Sequence, residues 1–338
     1  MPTEIINAAI NGNSDVLVQL LELMHEDPRE VMITIGKSHS APEQTEVEHT
    51  TALSELTTSA TRFGDTLLHL LISRRHNELA LRVFLKEQSL LQAHNNKFET
   101  PLHTAAKVGN EEVVRDLIQL NPDEVRDTLS KTNANGDTAL HVAANHNHKD
   151  LVCELMRFDP EAAYKGNTLG FSPLYIAAVE GHTSMVQAML QVDAALPCTK
   201  FSDGTFLVHV AARMGNSDLV VHFLQKYPDY AELLDPCRRN LFHMAAEQKD
   251  EKVFTTVFAL ATTGRPDISQ MIESMINSRD YEGNTPLHIA AMKGHSGVMR
   301  AIWNKLNQDP GALLRNQKGE TAFDLSVIQV RNTNEVYV

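Results

Sequence analysis

The chain has 338 residues, enough for two or three compact domains or one elongated one. Apolar residues make up 42% and charged residues 22%, which places it among folded rather than disordered proteins. A formal charge of −13 argues against nucleic acid as a partner, because phosphate binding needs a concentrated basic surface.

Cys153, Cys198 and Cys237 are the only cysteines, a spacing that suits a reducing compartment better than a disulfide framework. The start, MPTEIINAAINGNSD, lacks the basic and apolar regions of a secretory signal. No uncharged apolar run approaches the roughly 18 residues of a membrane span. A cytoplasmic chain without direct membrane insertion is expected.

In chain order, residues 1–24 read as an N-terminal unit, helical over EIINAAINGNSDVLVQLLELM (4–24). Residues 25–62 are rich in Ser, Thr and Glu and read as a long loop, of the kind that is functional or disordered. The GKS at 36–38 is no phosphate-binding loop, because the upstream glycine of that motif is absent. Beyond this the sequence repeats itself: GDTLLHLLISRRHNELA (64–80), FETPLHTAAKVGNEEVV (98–114), GDTALHVAANHNHKDLV (136–152) and GFSPLYIAAVEGHTSMV (170–186) align. So do GTFLVHVAARMGNSDLV (204–220), RRNLFHMAAEQKDEKVF (238–254), GNTPLHIAAMKGHSGVM (283–299) and the short GETAFDLS (319–326). The slot of His69, His103, His141, Tyr175, His209, His243, His288 and Asp324 recurs at intervals of 34, 38, 34, 34, 34, 45 and 36 residues.

A period of about 33 residues with a Thr-Pro-Leu-His-x-Ala core resembles the ankyrin repeat. The resemblance implies an all-α solenoid of about nine units, each a pair of antiparallel helices with a finger-like turn, the first and last acting as caps. The units are expected near 63–94, 95–132, 133–166, 167–200, 201–234, 235–279 and 280–315, with a partial one at 316–326 and a tail at 327–338. Residues 260–279 stretch one interval and are expected to add a helical turn or a short helix.

Each recurrent slot has a physical reason. Gly64, Gly136, Gly170, Gly204, Gly283 and Gly319 sit in the turn before the first helix, where a positive φ costs glycine least. Thr66, Thr100, Thr138, Ser172, Thr285 and Thr321 are N-caps, and Pro101, Pro173 and Pro286 follow where a missing N–H costs nothing. Paired alanines such as Ala143/Ala144 let neighbouring helices approach. Gly109, Gly181, Gly215 and Gly294 end the first helix as left-handed caps.

His141, His146, His148 and Cys153 lie within thirteen residues and raise the question of a metal or a Cys–His pair. The repeats answer it. His141 stands in the slot where the family's imidazole bonds backbone between repeats, a structural role implied likewise for His103, His209, His243 and His288. His148 shares its slot with His76, Asn110, His182, Asn216 and His295, and Cys153 matches Leu81, Arg115, Gln187 and Arg300, an unconstrained position. His141 and His146 also diverge around a helix. No catalytic site, metal or cofactor is expected, and the chain is not read as an enzyme.

Function then belongs to slots that vary. His146 is replaced by Val108, Glu180, Met214 and Lys293 in other copies, at the end of the first helix that lines the concave face in ankyrin folds. Finger tips vary too, with Phe98, Phe171, Phe201 and Tyr281 on turns expected to be solvated and Arg238/Arg239 where Gly-Asn is expected. Together with Arg213 these form the candidate partner-binding set, since interface hot spots favour aromatics and Arg.

Three stretches, DPEAAYKGNTLGFSPLYIAAVEGH (159–182), LLDPCRRNLFHMAAEQ (233–248) and INSRDYEGNTPLHIAAMKGH (276–295), with NQKGETAFDLS (316–326), resemble the plant ankyrin–transmembrane family of the accelerated-cell-death type. That resemblance implies protein partners, association with membrane or immune-receptor proteins, and a role in defence and cell-death control. The alternative is the cytosolic regulatory domain of a channel- or transporter-like protein whose membrane part is absent here. Departures are Phe206 for the capping Thr, Leu71/Ile72 for Ala-Ala, and Arg75 and Lys249 for the turn glycine.

Overall fold

The computed structural model describes residues 61–262, 266–306 and 313–327. The expected N-terminal unit at 1–24, nearly all of the 25–62 loop and most of the tail lie outside the described residues. The chain divides into two compact units, Met1–Pro173 and Leu174–Val338.

In the first unit, short and long helices alternate as the repeat dictates: α1 (Leu67–Ser73), α2 (Asn77–Lys86), α3 (Pro101–Val108), α4 (Glu111–Leu120), α5 (Pro122–Leu129), α6 (Ala139–Asn145) and α7 (Lys149–Phe158). The first helices α1, α3 and α6 pack side by side, and the second helices α2, α4 and α7 form a layer behind them. Leu102, Ala105, Ala106, Leu140, Ala143 and Ala144 are all buried between the layers, as are Val113, Val114 and Leu117 of α4. The alanines let first helices come close, while branched side chains of the second helices fill the space that remains.

Helix α8 (Pro173–Val179) begins at the boundary, and α9 (Thr183–Val192) to α12 follow in the second unit, with α10 (Leu207–Arg213), α11 (Ser217–Lys226) and α12 (Pro228–Ala231). Then come α13 (Leu241–Ala246), α14 (Lys252–Ala261), α15 (Pro266–Ile276), α16 (Pro286–Lys293), α17 (Ser296–Leu306) and α18 (322–327). The stacking is the same: α13 lies between α10 and α16, and α14 between α11 and α17. The long interval is filled by α15, a separate eleven-residue helix, which buries Ile268, Ile272 and Ile276. Among the described residues there is no strand, only two isolated bridges, Lys200 with Phe206 and Arg315 with Thr321.

The substituted turn positions divide. Arg75 adopts the left-handed conformation at φ 60°, as glycine would, and Asn147 does the same. Lys249 is not among the left-handed residues. There α13 is only six residues long and stops at Glu247, which stays right-handed.

Candidate functional site

The recurrent histidine is the joint of the scaffold. In His69, His103, His141 and His288, Nδ1 accepts the backbone N–H of the capping threonine three residues earlier, at 3.1–3.2 Å, with the threonine hydroxyl 2.8–2.9 Å away. Capping is thus shared between the hydroxyl and the ring. A backbone N–H can only donate, so Nδ1 is unprotonated and the ring carries its proton on Nε2. That Nε2–H donates to a carbonyl of the next repeat: Glu99 from His69 (2.9 Å), Asp137 from His103 (2.9 Å), Phe171 from His141 (3.0 Å) and Glu320 from His288 (3.2 Å).

His209 and His243 keep the pattern with Phe206 and Asn240 as caps, donating to Leu233 and Asn284. Burial pulls the pKa of all six below its usual value, to about 4 in His243, although the carbonyl bond opposes the shift. At the last copy Asp324 does the ring's job, its carboxylate accepting the Thr321 N–H at 2.9 Å.

A second set of joints runs backwards. His148 donates to the Lys107 carbonyl, His295 lies 3.2 Å from that of Ala246, and Asn110 donates to that of Ile72. Cys153 corrects the sequence reading. It is buried against the neighbouring helices rather than unconstrained, and burial pushes its thiol pKa up, away from the thiolate a nucleophile needs. Among the described residues no group of His, Cys, Asp or Glu is arranged to hold a metal ion.

The fingers are ordered by a slot the sequence reading overlooked. An Asn or Asp three residues before the turn glycine accepts two backbone N–H groups through one side-chain oxygen. Asn95, Asn133 and Asn167 do so in the first unit, Asp235, Asp280 and Asn316 in the second. The recurrence of Asx at that offset was the available signal. Successive fingers are then tied by backbone bonds, Asn96 to Phe63, Ala134 to Lys97 and Thr168 to Asn135, and in the other unit Tyr281 to Cys237 and Gln317 to Glu282.

On this frame the candidate binding residues separate. Tyr281 is 62% exposed and lies beside the Arg238 guanidinium, 5.9 Å from its ring centroid. Phe98 is 55% exposed and stacks on His94. Met214 is 47% exposed, and His146, Glu180 and Lys293 are exposed at the ends of their first helices. Val108 is half-buried and lines a groove of about 480 Å³ with Phe63, Leu70 and Lys107.

Phe201 is a correction. Expected on a solvated turn, it is only 7% exposed and packs edge-on against Tyr175 at 4.9 Å. Tyr175 stands where other repeats have histidine, and the two departures fit one another. Arg213 and Arg239 are engaged within the chain. Arg213 reaches Asp203 and the Tyr175 hydroxyl, while Arg239 pairs with Asp235 at 2.8 Å and Glu247 at 2.9 Å. Phe171 is half-buried, and its carbonyl receives His141.

Paired short and long helices, capped by Thr-x-x-His and joined by finger turns, define a helical repeat protein. Family models for ankyrin repeats match residues 5–128, 123–200 and 207–312, and the chain belongs to the ankyrin-repeat family. Among solved structures it is similar to the ankyrin repeat domain of Bcl-3, described as a unique member of the IkappaB protein family. The TM-score is 0.54 and the identity 22%, over 67% of this chain and 93% of that one. Family membership supports a protein–protein interaction scaffold as the broad class. Among the described residues no helix is long and apolar enough to cross a membrane.

Proposed function

We propose that this chain is a non-enzymatic interaction scaffold that grips a protein partner through its finger tips and the exposed ends of its first helices. The observation that carries the reading is Tyr281 with Arg238. They are an aromatic and a cation on adjacent fingers, largely solvent-exposed, in slots where other copies carry different residues. The backbone beneath them is already bonded, so little order is lost when a partner closes over them. The finer setting, plant defence and cell-death signalling near membranes, is supported by the resemblance of the three repeat stretches and of NQKGETAFDLS (316–326).

Met214, Tyr281 and Lys293 make no ion pair that holds the fold together, whereas Arg213 does. Replacing those three together with alanine is expected to lower recovery of protein partners by about tenfold or more, with the thermal midpoint moved by only a few degrees. Quantitative affinity capture beside a melting curve checks this. Equal recovery by the triple variant places the interface elsewhere.

A further inference from the structure

The last repeat turns core positions towards solvent. Phe323 is 69% exposed, although its counterparts in the other copies, among them Leu102, Leu140 and Phe242, are all at 4% or less. Val327 is exposed in the slot of Ala106, Ala144 and Ala291, which are buried. On α17, Trp303 is 45% exposed where Phe84, Met156, Leu190 and Leu224 are at 2% or less. Met299, in the slot of the buried Val114 and Val220, is only half-buried. With Leu287, Arg300 and Ala322, the side chains of Met299, Trp303 and Phe323 line a mainly apolar groove of about 370 Å³.

The repeat dictates what fits there. In this unit a first helix packs on its own second helix, α10 on α11 and α16 on α17, and each second helix packs on the next, α11 on α14 and α14 on α17. Helix α18 is a first helix, so the groove lies where its second helix belongs, and among the described residues no helix follows it. The next stretch of chain carries a matching signal. Asn110 and Asn216 cap their second helices by accepting the N–H of Val113 and Leu219, and the pairs Val113/Val114 and Leu219/Val220 are buried. Asn334 is followed at the same offset by Tyr337/Val338. It stands ten residues after Asp324, against seven from His103 to Asn110, so the turn between is three residues longer. Residues 328–338 lie outside the described residues.

We infer that residues 328–338 turn back over α18 and lay Tyr337 and Val338 on Met299 and Trp303, in the place of the second helix of the last repeat. An apolar solenoid edge left open is a surface for association, and a cover with a polar back closes it. Arg331, Asn332 and Glu335 supply that polar back. None of these residues belongs to the partner-binding set, so the cover and the fingers stand or fall separately.

Trp303 is the only tryptophan in the chain, and its emission therefore reads this groove directly. The full chain is compared with a form ending at Val327 and with the full-length double variant Tyr337→Asp, Val338→Asp. The full chain should emit at shorter wavelength, independently of protein concentration. Both altered forms should shift to the red, with acrylamide quenching raised about twofold or more as a covered ring becomes a half-exposed one. The double variant keeps the length of the chain and should melt only a few degrees lower, so it decides the matter even where the shortened form does not fold. Equal emission and quenching in the full chain and the double variant overturns the inference. So does burial of Trp303 that grows as the full chain is concentrated, since a second copy would then be the occupant. Protection of Trp303 in the full chain only on addition of an amphipathic helical peptide overturns it too, because the groove would then be open to a partner.

Discussion

Acidification from pH 7 towards pH 4 is expected to destabilise the fold progressively, beginning above the range in which carboxylates titrate. The six joint histidines have folded pKa values below 6.5 because burial disfavours the imidazolium. The unfolded chain therefore binds more protons than the folded one once the pH falls below about 6.5, and stability is lost in that direction. For His243, with a folded value of about 4, the full loss amounts to about 3 kcal/mol, reached as the pH falls through that value. Geometry points the same way. A proton on Nδ1 would face the backbone N–H of the capping residue, setting donor against donor at 3.1–3.2 Å, and would break the cap at every joint. The check is a series of melting curves between pH 7 and pH 5. His243→Leu should be less stable at pH 7, since it leaves the buried Asn240 backbone N–H without its acceptor and removes the bond to the Asn284 carbonyl, and it should show a shallower pH slope. A midpoint that stays flat from pH 7 to pH 5 would sink the claim.

What the sequence disclosed follows from what recurs. The Thr-x-x-His slot, the alanine pairs and the turn glycines appear often enough in one chain to be recognised as scaffold, and the six joint histidines perform the same backbone task wherever they occur. Residues fixed by a local coincidence were not legible. Phe201 falls on a turn by its register, yet it is buried because Tyr175 in the preceding repeat replaces histidine and provides a ring to pack on. Cys153 shares a slot with the partly exposed Arg115 and the buried Leu81, so the slot lies at the edge of the core and its burial depends on neighbours. Arg239 looked like a free cation, but Asp235 and Glu247, four and eight residues away, close on it. The left-handed backbone of Phe98 and Arg238 was readable in principle, because both stand in the glycine column. Which side chain meets another across repeats is a matter of packing, and periodicity does not encode it.

The turn glycines provide a second large effect, which separates backbone strain from steric contact. Gly136 and Gly181 both lie at φ 75°, so an alanine at either carries the same conformational penalty, about 1 kcal/mol. Their surroundings differ. A Cβ on Gly136 would come within 2.6 Å of the Thr168 backbone nitrogen, whereas a Cβ on Gly181 would meet nothing within 4 Å. Thr168 cannot yield cheaply, since its N–H donates to Asn135 in the ladder between fingers and its hydroxyl donates to the same carbonyl at 2.6 Å. Gly136→Ala must therefore push two fingers apart and weaken those bonds, for an expected loss of about 3 kcal/mol against about 1 for Gly181→Ala. Denaturant titrations of the two variants measure the difference, which is the energy stored in the contact between adjacent fingers. Equal costs would mean that the fingers move independently and that the ladder between them contributes nothing to stability.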